Sequence, residues 1–233
     1  MKVFAIVAHP DDIELLCAGT LAKFKKQGHS IAMAYLANGD KGHFTIPSEE
    51  LARIRKREAE NSAKILDAEV FVGLFPDLQI YVNKESIDRV VDIIRIVKPD
   101  LILTAPPNDY LVDHVNTSKL VVDASFIATL PNYKTKEPPH VKIPPIFFMD
   151  CAGGVDFQPT EYVDITEEMP IKEKMLRCHE SQYTWLKEHD NIDYVEFMKT
   201  ISSFRGMQCG VKYAEAFRQY MAWGRLKPQR ILP

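Results

Sequence analysis

What most restricts this chain is the exchange between two hydrophobic periods over its first 150 residues. Short apolar runs at residues 3–8, 30–37, 69–74, 100–105 and 146–150 have the length and composition of buried strands. Between them, residues 13–27, 48–66, 85–97 and 113–129 repeat apolar side chains at helical spacing. In the first of these, Ile13, Leu16, Leu21 and Phe24 recur before Gly28, which reads as a helix stop. Strands alternating with helices of this length predict βαβ units and a largely parallel sheet. The Pro-rich stretch at residues 131–145 is expected to cross the surface without regular structure. After residue 168 the pattern turns helical, at 171–187, 194–202 and from about 213. That predicts a helical cap, residues 169–233, packed on the same core, so that residues 1–233 form one domain. A chain of 233 residues can bury one sizeable core.

Composition narrows the partners. The net charge is −3, with both signs mixed, and the basic cluster at residues 53–57 is interrupted by Ile54. Nothing in this pattern tracks phosphates, so no nucleic-acid partner is expected. The opening MKVFAIVA runs straight into His9-Pro10-Asp11-Asp12 without a cleavage-like segment, and no apolar run reaches membrane-spanning length. A soluble, cytoplasmic protein with no membrane span is the expectation. The four cysteines, Cys17, Cys151, Cys178 and Cys209, lack paired spacing and read as isolated thiols in a reducing compartment. A dinucleotide-binding oxidoreductase would need a glycine-rich turn after the first strand, and two carboxylates in its place would repel a pyrophosphate.

In a parallel sheet, ligands bind where strands end and loops begin. Two polar clusters fall at such ends: His9-Pro10-Asp11-Asp12-Ile13-Glu14 after the first strand, and Asn108-Asp109-Tyr110-Leu111-Val112-Asp113-His114 past the strand ending near Ala105. If both loops open onto one edge, His9, Asp12 and His114 meet. Two imidazoles and a carboxylate are a sound ligand set for catalytic zinc, with a position left for water. Such a zinc lowers the pKa of that water and polarises a substrate carbonyl. Asp11, pointing away from its neighbour in a tight turn, is then the expected general base. The plainer reading of Asp11 and Asp12 is that they cap the following helix. Glu14 either favours the first helical turn by its charge, holds a substrate hydroxyl or orients a ligand histidine. Asp113 either orients His114 or caps its helix.

The segment Ala8-His9-Pro10-Asp11-Asp12-Ile13-Glu14, with Gly19-Thr20 behind it, resembles the opening motif of the LmbE-like, or PIG-L, deacetylases. Gly39-Asp40 with Gly42, Arg57-Glu58, His179-Glu180-Ser181-Gln182 and Ala214-Glu215-Ala216-Phe217 are also similar to family segments, so the likeness covers most of the chain. The resemblance implies a Rossmann-like, three-layer α/β fold and a zinc enzyme that removes acetyl groups from N-acetylglucosamine-type sugars or glycoconjugates. By resemblance, His9, Asp12 and His114 match the zinc ligands and Asp11 the general base, and homo-oligomers are common among relatives. Iron(II) or manganese(II) would accept the same donors.

One departure bears on mechanism. Many relatives carry a histidine three residues before the third ligand, where this chain has Leu111. An apolar side chain neither stabilises an oxyanion nor protonates a leaving amine. His179 and Tyr110 are the candidate replacements, and Asp11 could act as base and then acid. Arg57, Asp40 and Asp109 are candidate substrate-binding or supporting residues. Hydrolysis of another amide or of a carbamoyl group, or metal and carbohydrate binding without turnover, are the alternatives.

Overall fold

The computed structural model describes residues 1–226 and 232–233. The sheet begins with β1 (Lys2–Val7), flanked by β2 (Ser30–Ala37) and then β3 (Glu69–Phe75) on one side, and by β4 (Leu101–Thr104) and β5 (Ile146–Met149) on the other. These five strands run parallel. All of β1 from Val3 onward, and all of β4 and β5, are buried, which explains why they read as continuous apolar runs instead of alternating ones.

The crossovers are α1 (Asp12–Leu16) and α2 (Ala18–Lys26), α3 (Ser48–Ile65), α4 (Lys84–Val97) and α5 (Val112–Ile127). Their inward faces pack into one apolar layer on each side of the sheet: Ile13, Leu21, Phe24, Ala59 and Ala63 in one, Val90, Ile94, Leu120 and Val121 in the other. The expected parallel α/β core, in three layers, is therefore present.

The C-terminal third departs from the expected pattern. The helix expected over residues 171–187 is two, α6 (Met169–Leu176) and α7 (Glu180–His189), and α8 (Tyr194–Cys209) follows. The segment expected to begin a last helix near residue 213 is instead a strand, which we label β7 (Ala214–Gln219). It inserts antiparallel between β5 and a short strand β6 (Glu161–Asp164) that the periodicity did not reveal. The reason is local: Ala214, Glu215, Ala216 and Phe217 are all buried, so neither a period of two nor one of 3.6 stands out. Any continuation of that expected helix over residues 227–231 lies outside the described residues. The helices after residue 168 thus sit between strands of the same sheet, and α6 packs on α1, α2 and α3.

Strand order β3-β2-β1-β4-β5 means that the chain winds outward from β1 in one direction and later resumes beside it in the other. The gap between the ends of β1 and β4 is the topological switch point, where the loops diverge and leave a crevice. His9 follows β1 and Asp109 to His114 follow β4, so both polar clusters open there.

Candidate metal centre and its cleft

At the end of β1 the backbone turns sharply. Asp11 has φ of 113°, a left-handed conformation that costs a side-chain-bearing residue about 1–3 kcal/mol. The turn sends two adjacent carboxylates to different partners. Asp12 Oδ2 accepts from the His9 backbone N–H at 2.8 Å and lies 3.3 Å from His114 Nε2. Asp11 Oδ2 lies 3.3 Å from Arg55 Nη2, and its side chain makes no capping bond to α1. Neither carboxylate is used up as a helix cap.

At the end of β4, Asp109 Oδ1 accepts from the Leu111 backbone N–H at 3.0 Å and faces His114 Nδ1 at 3.1 Å. Asp113 does not orient His114, because consecutive residues on a helix point about 100° apart. It reaches instead to His9 Nε2 at 3.2 Å while accepting from the Leu78 N–H at 2.7 Å. It is not the cap of α5 either, since Leu111 holds that position.

These clamps decide how the imidazoles face each other. In the tautomers that put the proton of each neutral ring on its outer nitrogen, toward a carboxylate, the inner nitrogens, His9 Nδ1 and His114 Nε2, lie 3.2 Å apart and are open to a ligand-binding role. His9, Asp12 and His114 offer three ligand atoms within 4.8 Å of one another. Two imidazole nitrogens and a carboxylate oxygen converging on one point call for a cation there, a proton or a metal ion, and this donor set is one that fits a divalent metal.

The field at this point favours positive charge. Burial opposes charging His114, but Asp12 and Asp109 hold its pKa up at about 11. Asp12 is held below the usual carboxylate range despite its burial, by His114 and His9. Asp11 behaves oppositely: burial pushes it up to about 6 against the pull of Arg55.

A cleft of about 440 Å³ opens over the group, lined by His9, Asp11, Asp12 and His114 on one part and by Gln182, Trp185, Asp190 and Tyr194 on another. Tyr110 stands at its rim, 72% exposed, with its ring edge toward His114 at 6.1 Å. Desolvation on its inner side and the charges of Asp12 and Asp109 push its pKa upward, and the phenol is a proton donor at neutral pH with or without that shift. Leu111 also lines the cleft.

Other expected site residues are placed elsewhere. His179 is fully buried and lies 3.3 Å from Glu14 Oε1, off the cleft lining, because the break between α6 and α7 turns it inward. Glu14 is fully buried too and accepts from Tyr35 Oη at 2.6 Å and Ser62 Oγ at 2.5 Å, so it meets neither a ligand histidine nor the cleft. Asp40 accepts from the Asp77 N–H at 3.0 Å and pairs with Lys41, which braces the loop after β2. Arg57 is exposed; Arg55, two residues earlier on α3, faces the site and donates to the Pro10 carbonyl. The helical spacing of Leu51, Arg55, Glu58, Ala59, Ser62 and Ala63, all buried, carried that signal. Tyr194 and Trp185 had no signal before α7 and α8 were seen to border the cleft, and Gln182 stood out only as the last residue of the family-like segment His179-Glu180-Ser181-Gln182.

Comparison with known proteins bears on this geometry. A family model described as PIG-L, GlcNAc-PI de-N-acetylase, matches residues 4–125. The chain belongs to the PIG-L family. Diacetylchitobiose deacetylase from Thermococcus kodakarensis is 29% identical over 224 residues, which cover 93% of this chain and 82% of that protein. The solved structure of N,N'-diacetylchitobiose deacetylase from Pyrococcus horikoshii superposes with a TM-score of 0.82 at 27% identity, covering 94% of this chain and 83% of that one. A 4-oxalmesaconate hydratase from Pseudomonas putida is 25% identical over 191 residues, covering 78% of this chain and 74% of that protein. The matched PIG-L segment spans both loops of the converging group, from β1 through α5. Relatives of this PIG-L chain are thus deacetylases of N-acetylated sugars, and one is a hydratase.

Proposed function

We propose that this protein is a metal-dependent N-deacetylase acting on an N-acetylated sugar or glycoconjugate. The observation that supports it most is the pair of carboxylate-clamped imidazoles converging with Asp12, with Asp11 on the same turn. His9, Asp12 and His114 would hold one divalent ion, zinc first, with iron(II) and manganese(II) compatible with the same donors. When bound, the ion supplies Lewis acidity: it lowers the pKa of water and polarises an acetamide carbonyl.

The remaining steps belong to the chain. Asp11 takes a proton from the attacking water, which its raised pKa of about 6 suits, and Arg55 holds it in place. The same carboxyl then returns the proton to the departing amine, so that no histidine is required at Leu111. Tyr110 donates to the developing oxyanion from the rim. Asp109 and Asp113 act through His114 and His9, fixing their orientation. The products are acetate and a free amine.

A hydratase is the competing reading, because a 4-oxalmesaconate hydratase is among the relatives. Charge argues against it. Among the described cleft residues Arg55 is the sole Arg or Lys, and it is already paired with Asp11, whereas Asp11, Asp12, Asp77 and Asp190 add negative charge. Beyond the proposed ion, the cleft therefore offers a substrate with several carboxylates no free Arg or Lys to pair with. A neutral acetamido sugar needs none.

We further infer that residues 1–233 act as one deacetylase unit, with α7 and α8 walling the cleft. Free cysteines, two of them buried, suit a reducing cytoplasm. No helix among the described residues is long and apolar enough to cross a membrane. Met221 and Trp223, 72% and 95% exposed, offer apolar surface for a homo-oligomer. The test is to strip metal with a chelator, restore zinc, iron(II) or manganese(II), and assay acetate release from acetylated sugars and hydration of 4-oxalmesaconate. Metal-restored acetate release supports the proposal; hydration alone overturns it.

A further inference from the structure

Gly39-Asp40, in the loop after β2, takes no part in the proposed chemistry. Asp40 is buried and is not among the residues that line the cleft. Its carboxylate is committed within the protein: Oδ1 accepts from the Asp77 N–H at 3.0 Å and Oδ2 pairs with Lys41 Nζ at 2.6 Å. Asp77 returns the contact from the loop after β3. Its Oδ1 accepts from the Gly39 N–H at 2.7 Å and its Oδ2 from the Lys41 N–H at 3.1 Å. Each carboxylate thus grips the backbone around the other, which locks the two loops together.

The next residue shows what the lock holds in place. Leu78 has φ of 63°, a left-handed conformation that strains any residue with a side chain, and that side chain is 60% exposed, so burial does not hold it there. Its N–H donates to Asp113 Oδ2 at 2.7 Å. His9 Nε2 faces the same oxygen at 3.2 Å. One carboxylate oxygen therefore stands between the loop after β3 and the His9 ring, and a shift of the Leu78 N–H shifts both. Asn116 Nδ2 donates to the Ile80 carbonyl at 2.7 Å and ties the same loop to α5, which carries Asp113. His114 is oriented by Asp109 from the segment that follows β4, whereas the orientation of His9 reaches back to the loops after β2 and β3.

We infer that Asp40 is a positioning residue for the metal: through the backbone of Asp77 and Leu78 it fixes Asp113, and Asp113 fixes the His9 ring. The inference rests on His9, Asp12 and His114 as metal ligands and deepens that reading: two loops that supply no ligand set how tightly the ion is held. Loss of a group that orients a ligand histidine weakens metal binding by about 10–100-fold.

The test is the zinc dissociation constant, measured by chelator competition on wild type, Asp40→Ala and Asp40→Asn. Asp40→Ala removes the acceptor for the Asp77 N–H, whereas Asp40→Asn keeps an amide oxygen in its place. Kd should rise about tenfold in Asp40→Ala and return to within about threefold of wild type in Asp40→Asn. A lost charge acting at a distance would raise Kd equally in both; that result, or an unchanged Kd in Asp40→Ala, overturns the inference. A second measurement needs no variant to fold. In wild type, amide hydrogen exchange at Gly39, Asp77 and Leu78 should slow about fivefold on zinc binding, because coupling between loop and ion is reciprocal. Unchanged exchange at all three overturns the inference. Acetate assays separate it from the deacetylase reading. Zinc binding that weakens in Asp40→Ala, in a protein whose wild type releases no acetate, supports the positioning role and sinks the deacetylase reading. Acetate release by wild type with an unmoved Kd in Asp40→Ala sinks the positioning role alone, and a wild type that binds no zinc overturns both.

Discussion

Asp11 and Asp12 are the same side chain on adjacent residues, yet their surroundings move their pKa values in opposite directions. Asp12 stays charged between two imidazoles, which suits a ligand, while Asp11 is raised to about 6, which suits a proton carrier. Asp11→Asn should keep the metal and lose about 10²–10⁴-fold in kcat, as removal of a general base does. Metal analysis beside an acetate assay checks this. Glu14 and His179 make a second prediction. Burial opposes charging either, but each holds the other charged: Glu14 is lowered from 4.5 and His179 raised from 6.5. The Glu14 contribution is present above pH 4.5 and is lost as pH falls through its lowered folded value. The His179 contribution is present below pH 6.5 and is lost as pH rises through its raised folded value. The Tm difference between wild type and Glu14→Gln should therefore be largest at about pH 4.5–6.5 and narrow on both sides. A difference that does not vary with pH would contradict the charged pair. At this scale the convergence of His9, Asp12 and His114 was legible, because each lies in a segment that follows a strand end. Arg55 was not, because Arg57 lies in the same basic run and only the buried face of α3 separates them.

Elements reach the site through a few buried polar ties. Gly39 has φ of 74°, and a Cβ there would sit 2.6 Å from Arg55 Cδ, so this glycine admits α3 to the loop after β2. Gly39→Ala should displace Arg55 and cost about 1–3 kcal/mol of stability, seen in denaturant melts, with kcat/KM falling alongside. Unchanged melting and turnover would show that the loop yields freely. On the other side, Lys172 of α6 is fully buried and pairs with Glu215 of β7 while donating to the Leu15 carbonyl of α1 at 2.9 Å. Glu215 in turn accepts from the Gly19 and Thr20 N–H groups at 2.9 and 2.7 Å, at the start of α2. Lys172→Met should destabilise by about 3–5 kcal/mol, and adding Glu215→Gln should return part of the loss, since breaking a buried pair leaves one charge unpaired. A double-mutant cycle measures it. These ties also explain what the sequence concealed. Glu215 in the buried first half of β7 breaks its apolar pattern, and Lys172 on a buried face of α6 does the same.

Over the whole molecule, the winding of the first 150 residues was readable because each strand and helix carries its own hydrophobic period. Insertion of β7 between β5 and β6 was not, since strand order past a crossover depends on tertiary pairing instead of local pattern. The switch point beside β1 concentrates the chemistry, and α7 and α8 complete the cleft from the far end of the chain. A metal held as proposed, by groups that follow β1 and β4, would tie two crossovers together, so its removal should lower Tm. At a free metal concentration of 100 times Kd the stabilisation is about 2.7 kcal/mol. The central claim is tested most directly by measuring metal content and acetate release together on wild type, Asp11→Asn and His114→Ala, with N,N'-diacetylchitobiose as substrate. The account predicts metal and acetate release in wild type, metal without release in Asp11→Asn, and loss of both in His114→Ala. Full metal retention in His114→Ala, or acetate release from Asp11→Asn at the wild-type rate, would contradict it.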